Sequence, residues 1–235
     1  MSTGQWTVEA ALQASPHESP VEGTSSLLPF LHLLERLKTT KRAGWKRYGI
    51  DDGESVADHS HRMSVLAMLA PPPGLDVTKC IKMCLIHDLA ESVVGDITPT
   101  DNIPKPEKHR REAETLGFIR HRLLGGFDGG KAGEDIHALW REFEDSQTPE
   151  SIFAQDLDKV ELLLQMLEYE KRENVDLSEF TYVSGKVVTP RARDLVQEIL
   201  GERSQLLAKR GGASDAPPNK AMMTLQDQYY GDTQK

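Results

Sequence analysis

Helical periodicity dominates the pattern of apolar and polar positions through the middle of the chain. The stretch SSLLPFLHLLERLKTT carries Leu27, Phe30, Leu31, Leu34 and Leu37 at the spacing of one helix face. The same pattern recurs in SVADHSHRMSVLAMLA, KPEKHRREAETLGFIRHRLL, GEDIHALWREFEDS, PESIFAQDLDKVELLLQMLEYEKR and TPRARDLVQEILGERSQLLAKR. Strand patterns are sparse, and the best of them, FTYVSG, is short. The sequence therefore predicts an all-α protein, a compact helical bundle.

Both ends of the chain lack this periodicity. Residues 1–25 are rich in Ser, Pro, Gly and Glu, and residues 209–235 include the linker-like RGGASDAPPNK. Segments of this composition bury too little apolar surface to order themselves. We therefore expect a flexible leader over 1–25, one folded domain over 26–208 and a flexible tail over 209–235. The leader has neither a basic start nor an apolar core, so no secretory signal is expected.

The charge balance and the cysteines narrow the range of partners. The chain has 28 basic and 37 acidic residues, a formal net charge of -9, which does not suit a sequence-independent grip on nucleic acid. No apolar run approaches the roughly 18 residues of a membrane span. Cys80 and Cys84 are four residues apart in one helical pattern, which favours reduced, buried thiols. The prediction is a cytoplasmic protein, with the nucleus as the alternative, that binds neither nucleic acid nor membranes.

One apolar segment carries an unexpected set of polar side chains. CIKMCLIHDLAESVVGD, residues 80–96, has the pattern of a buried helix ended by Gly95, yet His87, Asp88 and Glu91 lie on its stripe with Cys80 and Cys84. An unpaired buried carboxylate is very costly. A divalent metal ion is one solution, because imidazole nitrogen and carboxylate oxygen both ligate such ions.

A second histidine and a later aspartate extend this pattern. His59 lies on the core stripe of the preceding helix, whereas His61 lies about 200° away on the same helix. A further carboxylate is available from Asp156 or Asp158, and spacing alone does not choose between them. Each feature has an ordinary explanation, such as a core histidine, a capping aspartate, or a solvated helix face in EKHRREAE. Cys84 with His87 could also form part of a zinc site.

The order of these residues, H…HD…D, resembles that of the HD-domain phosphohydrolases. Longer stretches, GESVADHSHRMSVLAM, CLIHDLAESVVGDITPTDNIPKPEKHRRE and LDKVELLLQ…EYE, are similar to the small HD-domain 5′-deoxynucleotidase family, in its eukaryotic HD domain-containing protein 2 branch. The resemblance covers roughly residues 27–205. It implies a helical bundle of the HD-domain type and hydrolysis of deoxyribonucleoside 5′-monophosphates to deoxynucleoside and phosphate.

The resemblance also implies a set of metal ligands. It places one divalent cation on His59, His87, Asp88 and Asp158, and so favours Asp158 over Asp156. In the eukaryotic branch a second cation is associated with the positions of Glu91, Asp96 and the Ile97 carbonyl. Glu91 is also the position linked to catalysis. The implied cofactor is Mn, Co, Mg or Zn, one or two per subunit.

Substrate contacts are implied just upstream of His59. Bacterial members carry an Arg-Trp pair there, and this chain reads KRAGWKRY, so that Trp45 matches the tryptophan and Gly44 stands in the arginine position. We expect Arg42, or else Lys41, to replace that arginine. Because family members tend to be dimers, a homodimer is expected.

Other proteins share the H…HD…D frame. Cyclic-nucleotide phosphodiesterases, alarmone hydrolases and nucleoside triphosphohydrolases are rival activities. The chain has no Gly-Tyr-Pro element of the cyclic-dinucleotide type and is short for a triphosphohydrolase. A catalytically silent HD-fold scaffold is the rival from another class, and intact residues at all four ligand positions argue against it.

Overall fold

A computed structural model describes residues 5–211, which form ten α-helices. The helices are α1 Val8–Ala14, α2 Leu28–Thr39, α3 Ala43–Lys46, α4 Val56–Leu69, α5 Val77–Ile86, α6 Glu91–Val94, α7 Lys105–Phe118, α8 Lys131–Asp145, α9 Pro149–Glu173 and α10 Pro190–Lys209. A π-helical turn, Ile119–Leu123, follows α7 directly. Short 3₁₀ segments span Pro99–Asp101, Asp128–Gly130 and Ser178–Lys186.

The predicted all-α class is confirmed. Within residues 5–211 there is no β-strand, and the only isolated β-bridge pairs Lys41 with Ser55. The weak strand pattern FTYVSG lies inside the 3₁₀ segment Ser178–Lys186. None of the helices in this range is long and apolar enough to cross a membrane.

The described chain divides into two compact units, each built from two separate stretches of sequence. The first unit contains the residues up to Ser60 together with Leu85–Arg141. The second contains His61–Cys84 together with the residues from Glu142 onward.

The core of the first unit explains the packing of α2. Phe30, Leu33 and Leu37 of α2 are buried in one cluster with residues of α7 and the π-helical turn. Leu31, predicted to share this face, is instead 50% exposed. Residues 30, 33 and 37 are spaced by three and four positions and so share one face of the helix. Residue 31 is rotated by about 100° from residue 30 and lies away from that face.

The N-terminal segment contains ordered structure that was not expected. Helix α1 lies within the predicted flexible leader, and its Val8 and Leu12 are buried in the core cluster of the first unit. Two apolar residues four positions apart are enough to dock one short helix, although they are too few to show against a Ser/Pro-rich background. The expectation of a flexible leader is therefore wrong over Val8–Ala14. The predicted tail lies outside the described residues beyond Gly211.

The second unit is centred on the long helix α9. Its buried residues include Phe153, Leu157, Leu163 and Met166, and α10 and the 3₁₀ segment Ser178–Lys186 pack against α9. A buried ion pair joins Arg203 to Glu170 with Nε–Oε2 2.7 Å.

The segment predicted as one continuous helix over 80–96 is broken. Helix α5 ends at Ile86, His87–Ala90 form a turn, and Glu91 begins the separate four-residue helix α6. The predicted stop at Gly95 is confirmed, because Gly95 caps α6 with φ 77°, and its N–H donates to the Glu91 carbonyl. The five polar and sulfur residues therefore do not share one helix face.

Candidate metal centre

The turn between α5 and α6 carries His87 and Asp88. It is closed by short-range bonds, from the Leu89 N–H to the Ile86 carbonyl and from the Glu91 N–H to the Asp88 carbonyl, both 3.0 Å. The apolar side chains of this turn, Leu89 and Ala90, are buried in the core cluster. The turn, and not a helix face, brings the His87 imidazole and the Asp88 carboxylate together.

His59 is placed by the start of α4. Ser55 and Asp58 cap this helix reciprocally, because the Asp58 N–H donates to Ser55 Oγ at 3.1 Å and the Ser55 N–H donates to Asp58 Oδ2 at 2.8 Å. One residue further on, His59 is fully buried, whereas His61 is exposed. The predicted orientation of the two histidines is confirmed.

The two histidines and Asp88 form a compact cluster within the first unit. Asp88 Oδ2 lies 3.1 Å from His87 Nε2 and 3.9 Å from His59 Nε2. The imidazole rings meet edge to face with centroids 5.4 Å apart. Two imidazole nitrogens that lie within 3.9 Å of one carboxylate oxygen form with it a donor set that fits a divalent transition metal ion.

Arg42 joins this cluster to a second carboxylate. Its Nη1 lies 3.2 Å from Asp88 Oδ2 and 3.6 Å from Asp96 Oδ1. Asp96 Oδ2 also accepts a hydrogen bond from the Ala43 N–H at 2.5 Å. Lys41, the other candidate for the missing arginine, is directed instead to the Gly53 carbonyl, at 2.8 Å, and to Asp52, at 3.1 Å.

Asp88 is held in its ionised form. Burial alone would raise the pKa of Asp88, but His87, Arg42 and His59 outweigh burial and hold the pKa well below its usual range. A carboxylate that stays charged while partly buried is ready to ligate a cation.

Glu91 has the opposite character. Its side chain is 2% exposed, and neither carboxylate oxygen has a hydrogen-bond partner among residues 5–211. Burial, and then the charges of Asp88 and Asp96, raise the pKa of Glu91 well above its usual value, although Lys108 and Arg42 oppose the rise. A bound divalent cation would offset the repulsion among these carboxylates, so the residues present fit the metal implied by the sequence.

Trp45 and Ile97 lie near the same stretches. The Trp45 indole is 3% exposed, and its Nε1 donates to Glu54 Oε1 at 3.0 Å. Ile97 is also buried and follows Asp96 directly. The roles predicted for Trp45 as a substrate contact and for the Ile97 carbonyl as a ligand stay predictions.

Asp156, the alternative to Asp158 as a ligand from α9, makes several hydrogen bonds within the second unit. Asp156 is 1% exposed and accepts hydrogen bonds from the Val188 N–H, the Thr189 N–H and the Thr189 hydroxyl, the last two at 2.6 and 2.7 Å. It is therefore committed to the start of α10. Asp158 stays the predicted ligand from α9.

Sequence reasoning did not single out two charged residues of the first unit. Glu54 accepts a hydrogen bond from the Trp45 indole. Lys108 partly opposes the rise in the pKa of the buried Glu91. Lys108 belongs to the EKHRREAE stretch, which has the composition of a solvated helix face. The Lys108 side chain is only 22% exposed, and its Nζ lies 3.5 Å from Glu112 Oε1. Alternating charge gave no indication that one lysine of the run reaches inward.

A protein-family model covers most of the chain. The HD-domain family model matches residues 34–196, a span that contains every residue of the cluster. The chain belongs to the HD-domain family.

Individual relatives cover most of the chain. It is 43% identical over 185 residues to the 5′-deoxynucleotidase hdd1 of Schizosaccharomyces pombe, which covers 78% of this chain and 93% of the relative. It is 40% identical over 189 residues to the human 5′-deoxynucleotidase HDDC2, over 79% of this chain and 90% of the relative. Among solved structures, the HD domain-containing protein YGK1 of Saccharomyces cerevisiae superposes with a TM-score of 0.62 at 26% identity, over 86% of this chain and 99% of that chain.

Proposed function

We propose that this protein is a metal-dependent 5′-deoxynucleotidase, which hydrolyses deoxyribonucleoside 5′-monophosphates to a deoxynucleoside and phosphate. The proposal is supported by relatives named 5′-deoxynucleotidase at about 40% identity over most of both chains. The observation that carries it is the buried cluster of His59, His87 and Asp88 with Glu91 beside it.

The proposed ligands come from the resemblance together with this cluster. His59, His87, Asp88 and Asp158 hold one divalent cation. Glu91, Asp96 and the Ile97 carbonyl hold a second where two are bound. When bound, such an ion lowers the pKa of a water molecule and offsets charge on the phosphate oxygens. Transition metals such as Zn and Co suit the mixed imidazole and carboxylate set, whereas Mg and Mn suit the carboxylate and carbonyl oxygens of the second set.

Glu91 is the proposed catalytic residue. Hydrolysis forms a bond between a water oxygen and phosphorus and breaks the bond from phosphorus to O5′, which must gain a proton. The attacking water must lose a proton. Burial raises the pKa of the Glu91 carboxyl, which suits this group to transfer a proton between that water and the leaving O5′. Arg42 is the proposed phosphate contact, because a guanidinium matches the geometry of phosphate oxygens. Trp45 is the proposed wall against the sugar.

A screen of phosphate release tests the proposed activity. Nucleoside mono-, di- and triphosphates, in deoxyribose and ribose forms, are each incubated with Mn, Co, Mg or Zn, together with a cyclic nucleotide and a phosphodiester. We expect deoxyribonucleoside monophosphates to be the best substrates and chelation of the metal to abolish turnover. Release of triphosphate from a nucleoside triphosphate would point instead to a triphosphohydrolase. Turnover of a cyclic nucleotide or of a phosphodiester would point to a phosphodiesterase.

Two further properties are proposed with the activity. A homodimer is proposed from the resemblance, and light scattering after size-exclusion chromatography tests it. The cytoplasm is the proposed compartment, because Cys80 and Cys84 form no disulfide, which suits a reducing environment. Imaging of the tagged protein at its natural expression level tests the compartment.

A further inference from the structure

Helix α6 is too short to hold its own shape. It has four residues, Glu91–Val94, whereas isolated helices shorter than about 12 residues are marginal in water. The turn before it is closed by bonds to the third residue back, with the Ser92 N–H 3.3 Å from the Leu89 carbonyl. The positions of His87, Asp88 and Glu91 therefore depend on what packs against this turn.

The elements that pack against α6 are α1, α2 and α7, all within the first unit. Leu89 and Ala90, which directly precede α6, are 2% and 1% exposed. They belong to the same apolar cluster as Val8 and Leu12 of α1. An element near the N-terminus thus supplies part of the apolar support for the turn that carries the metal cluster.

This N-terminal segment is anchored at several points. We name residues 6–24 the N-terminal strap. Arg110 Nη2 donates to the Trp6 carbonyl at 3.2 Å, and the Arg111 guanidinium lies 5.5 Å from the centre of the Trp6 ring. Further along, Arg122 Nη1 lies 2.9 Å from Glu9 Oε1.

The far end of the strap is fixed as well. The Gly23 N–H donates to the Arg122 carbonyl at 2.9 Å, and Arg36, itself 6% exposed, donates from Nη2 to the Glu18 carbonyl at 3.1 Å. Thr24 lies so close to Gly126 that a Cβ at residue 126 would meet the Thr24 carbonyl oxygen at 2.7 Å. The whole strap precedes the region matched by the HD-domain family model, which begins at residue 34.

We propose that the N-terminal strap is a positioning element of the active site. Val8 and Leu12 hold the turn His87–Ala90 and helix α6 in the conformation that directs His87, Asp88 and Glu91 toward the metal. The side chains of Val8 and Leu12 are apolar and offer no ligand atom to a metal. The strap acts through Leu89 and Ala90, which connect the ligand residues to the core. This proposal rests on the proposed function for its effect on turnover, and on the packing alone for its effect on α6.

Hydrogen exchange in the full-length protein tests the packing. Leu12→Ala removes apolar contact from the strap, and Leu31→Ala, at a half-exposed leucine of α2, is the matched control. We expect the amides of residues 89–95 to exchange at least about tenfold faster in Leu12→Ala than in the control, with α9 and α10 unchanged. Leu12→Met should restore the slow exchange. Unchanged exchange over 89–95, or an equal acceleration in α9 and α10, would overturn the proposal.

A second variant leaves the buried residues of the strap unchanged. Arg122→Gln breaks the ion pairs to Glu9 and Glu22 at a side chain that is 48% exposed, and Arg172→Gln breaks the exposed pair to Glu173 as its control. We expect Arg122→Gln to accelerate exchange over 89–95 in the same direction, and its control to leave that exchange unchanged. If Arg122→Gln leaves exchange over 89–95 as slow as in the control, the strap does not support α6.

Metal binding and kinetics complete the test. Titration of Mn²⁺ into metal-free protein should give a dissociation constant raised about tenfold in Leu12→Ala, and kcat should fall while KM changes little, because Leu12 is buried in the core cluster. An unchanged Mn²⁺ affinity together with an unchanged kcat would show that α6 holds its geometry without the strap. If the wild type hydrolyses no nucleotide, the proposed function fails, while the exchange and Mn²⁺ measurements still decide on the strap.

Discussion

Three groups that carry or can carry positive charge surround the Asp88 carboxylate. His87, Arg42 and His59 together outweigh the effect of burial, and they hold the pKa of Asp88 well below its usual range. Arg42 is shared with Asp96, so the carboxylates proposed for two different cations are linked by one guanidinium. The residues at this scale are therefore coupled, and a change at one of them alters the charge felt by the others.

Asp88→Asn should remove metal and activity together. The amide keeps the shape of the side chain but loses the charge that a divalent ion requires. Metal content after dialysis and phosphate release from a deoxynucleoside monophosphate are the two measurements. Asp194→Asn, at an exposed carboxylate of α10, is the control and should retain both. Full metal content with full turnover in Asp88→Asn would show that Asp88 is not a ligand.

Glu91→Gln should lower turnover far more than stability. The substitution keeps the size of a buried side chain and removes its ability to transfer a proton, for which a loss on the order of 100-fold or more is usual. Because the charged form of Glu91 is disfavoured by burial, we expect the melting temperature of the metal-free protein to be no lower than that of the wild type. An unchanged kcat would remove Glu91 from the chemistry.

Trp45→Ala tests selectivity against ribonucleotides. An indole packed against C2′ would bury a 2′-hydroxyl without a partner, at a cost of about 1–3 kcal/mol. This cost corresponds to roughly 5- to 150-fold in selectivity at about 1.4 kcal/mol per tenfold. We expect the wild type to prefer dAMP to AMP in kcat/KM by a factor in this range, and the variant to lose the preference. The alternative is that Trp45, which is buried and bonded to Glu54, serves only the core. In that case the preference survives in the folded variant.

Several residue positions could be predicted from the sequence because helical geometry decides them. His59 and His61 are two positions apart, which places them on different sides of α4, and only His59 lies on its apolar stripe. Asp156 and Asp158 have the same spacing, but α9 buries residues around much of its circumference, so its apolar pattern does not choose between them. The partners of Asp156 are residues 188 and 189, more than thirty positions away, and no local pattern indicates such a contact.

At the scale of elements, the sequence predicts the helical character of residues 80–96 but not the break between α5 and α6. The apolar run through residues 80–96 contains no proline, and its only glycine, Gly95, lies at the end, so local propensity favours one helix. The structure breaks the run at His87–Ala90, where Leu89 and Ala90 are buried among α1, α2 and α7. Tertiary packing overrides local preference at the point where the polar cluster forms.

The start of α10 offers a test at this scale. Asp156→Ala removes the acceptor for two backbone N–H groups and the Thr189 hydroxyl. Val188 is 43% exposed, so water can replace part of the loss, and we expect destabilisation of about 1–2 kcal/mol. For a chain of this length that is about 2–8 °C in melting temperature. Metal content per folded protein should be unchanged, and loss of metal would instead identify Asp156 as a ligand.

At the scale of the whole molecule, the two cysteines report on global unfolding. Cys80 and Cys84 are fully buried, and burial raises the pKa of both thiols, that of Cys80 to about 11. Only the thiolate reacts with iodoacetamide, and its fraction grows as the pH approaches the pKa. We therefore expect negligible labelling of the native protein at pH 7 and rapid labelling of both cysteines in denaturant. Rapid labelling without denaturant would show that α5 opens locally.

The division of each unit into two stretches has a consequence for synthesis on the ribosome. The first unit needs Leu85–Arg141 to complete the structure begun by the residues up to Ser60, and the second needs the residues after Glu142 to join His61–Cys84. Neither unit can close when its first stretch leaves the exit tunnel. The nascent chain must carry the uncovered apolar faces of α2 and α4 until much later residues emerge, and such surfaces attract chaperones and promote aggregation.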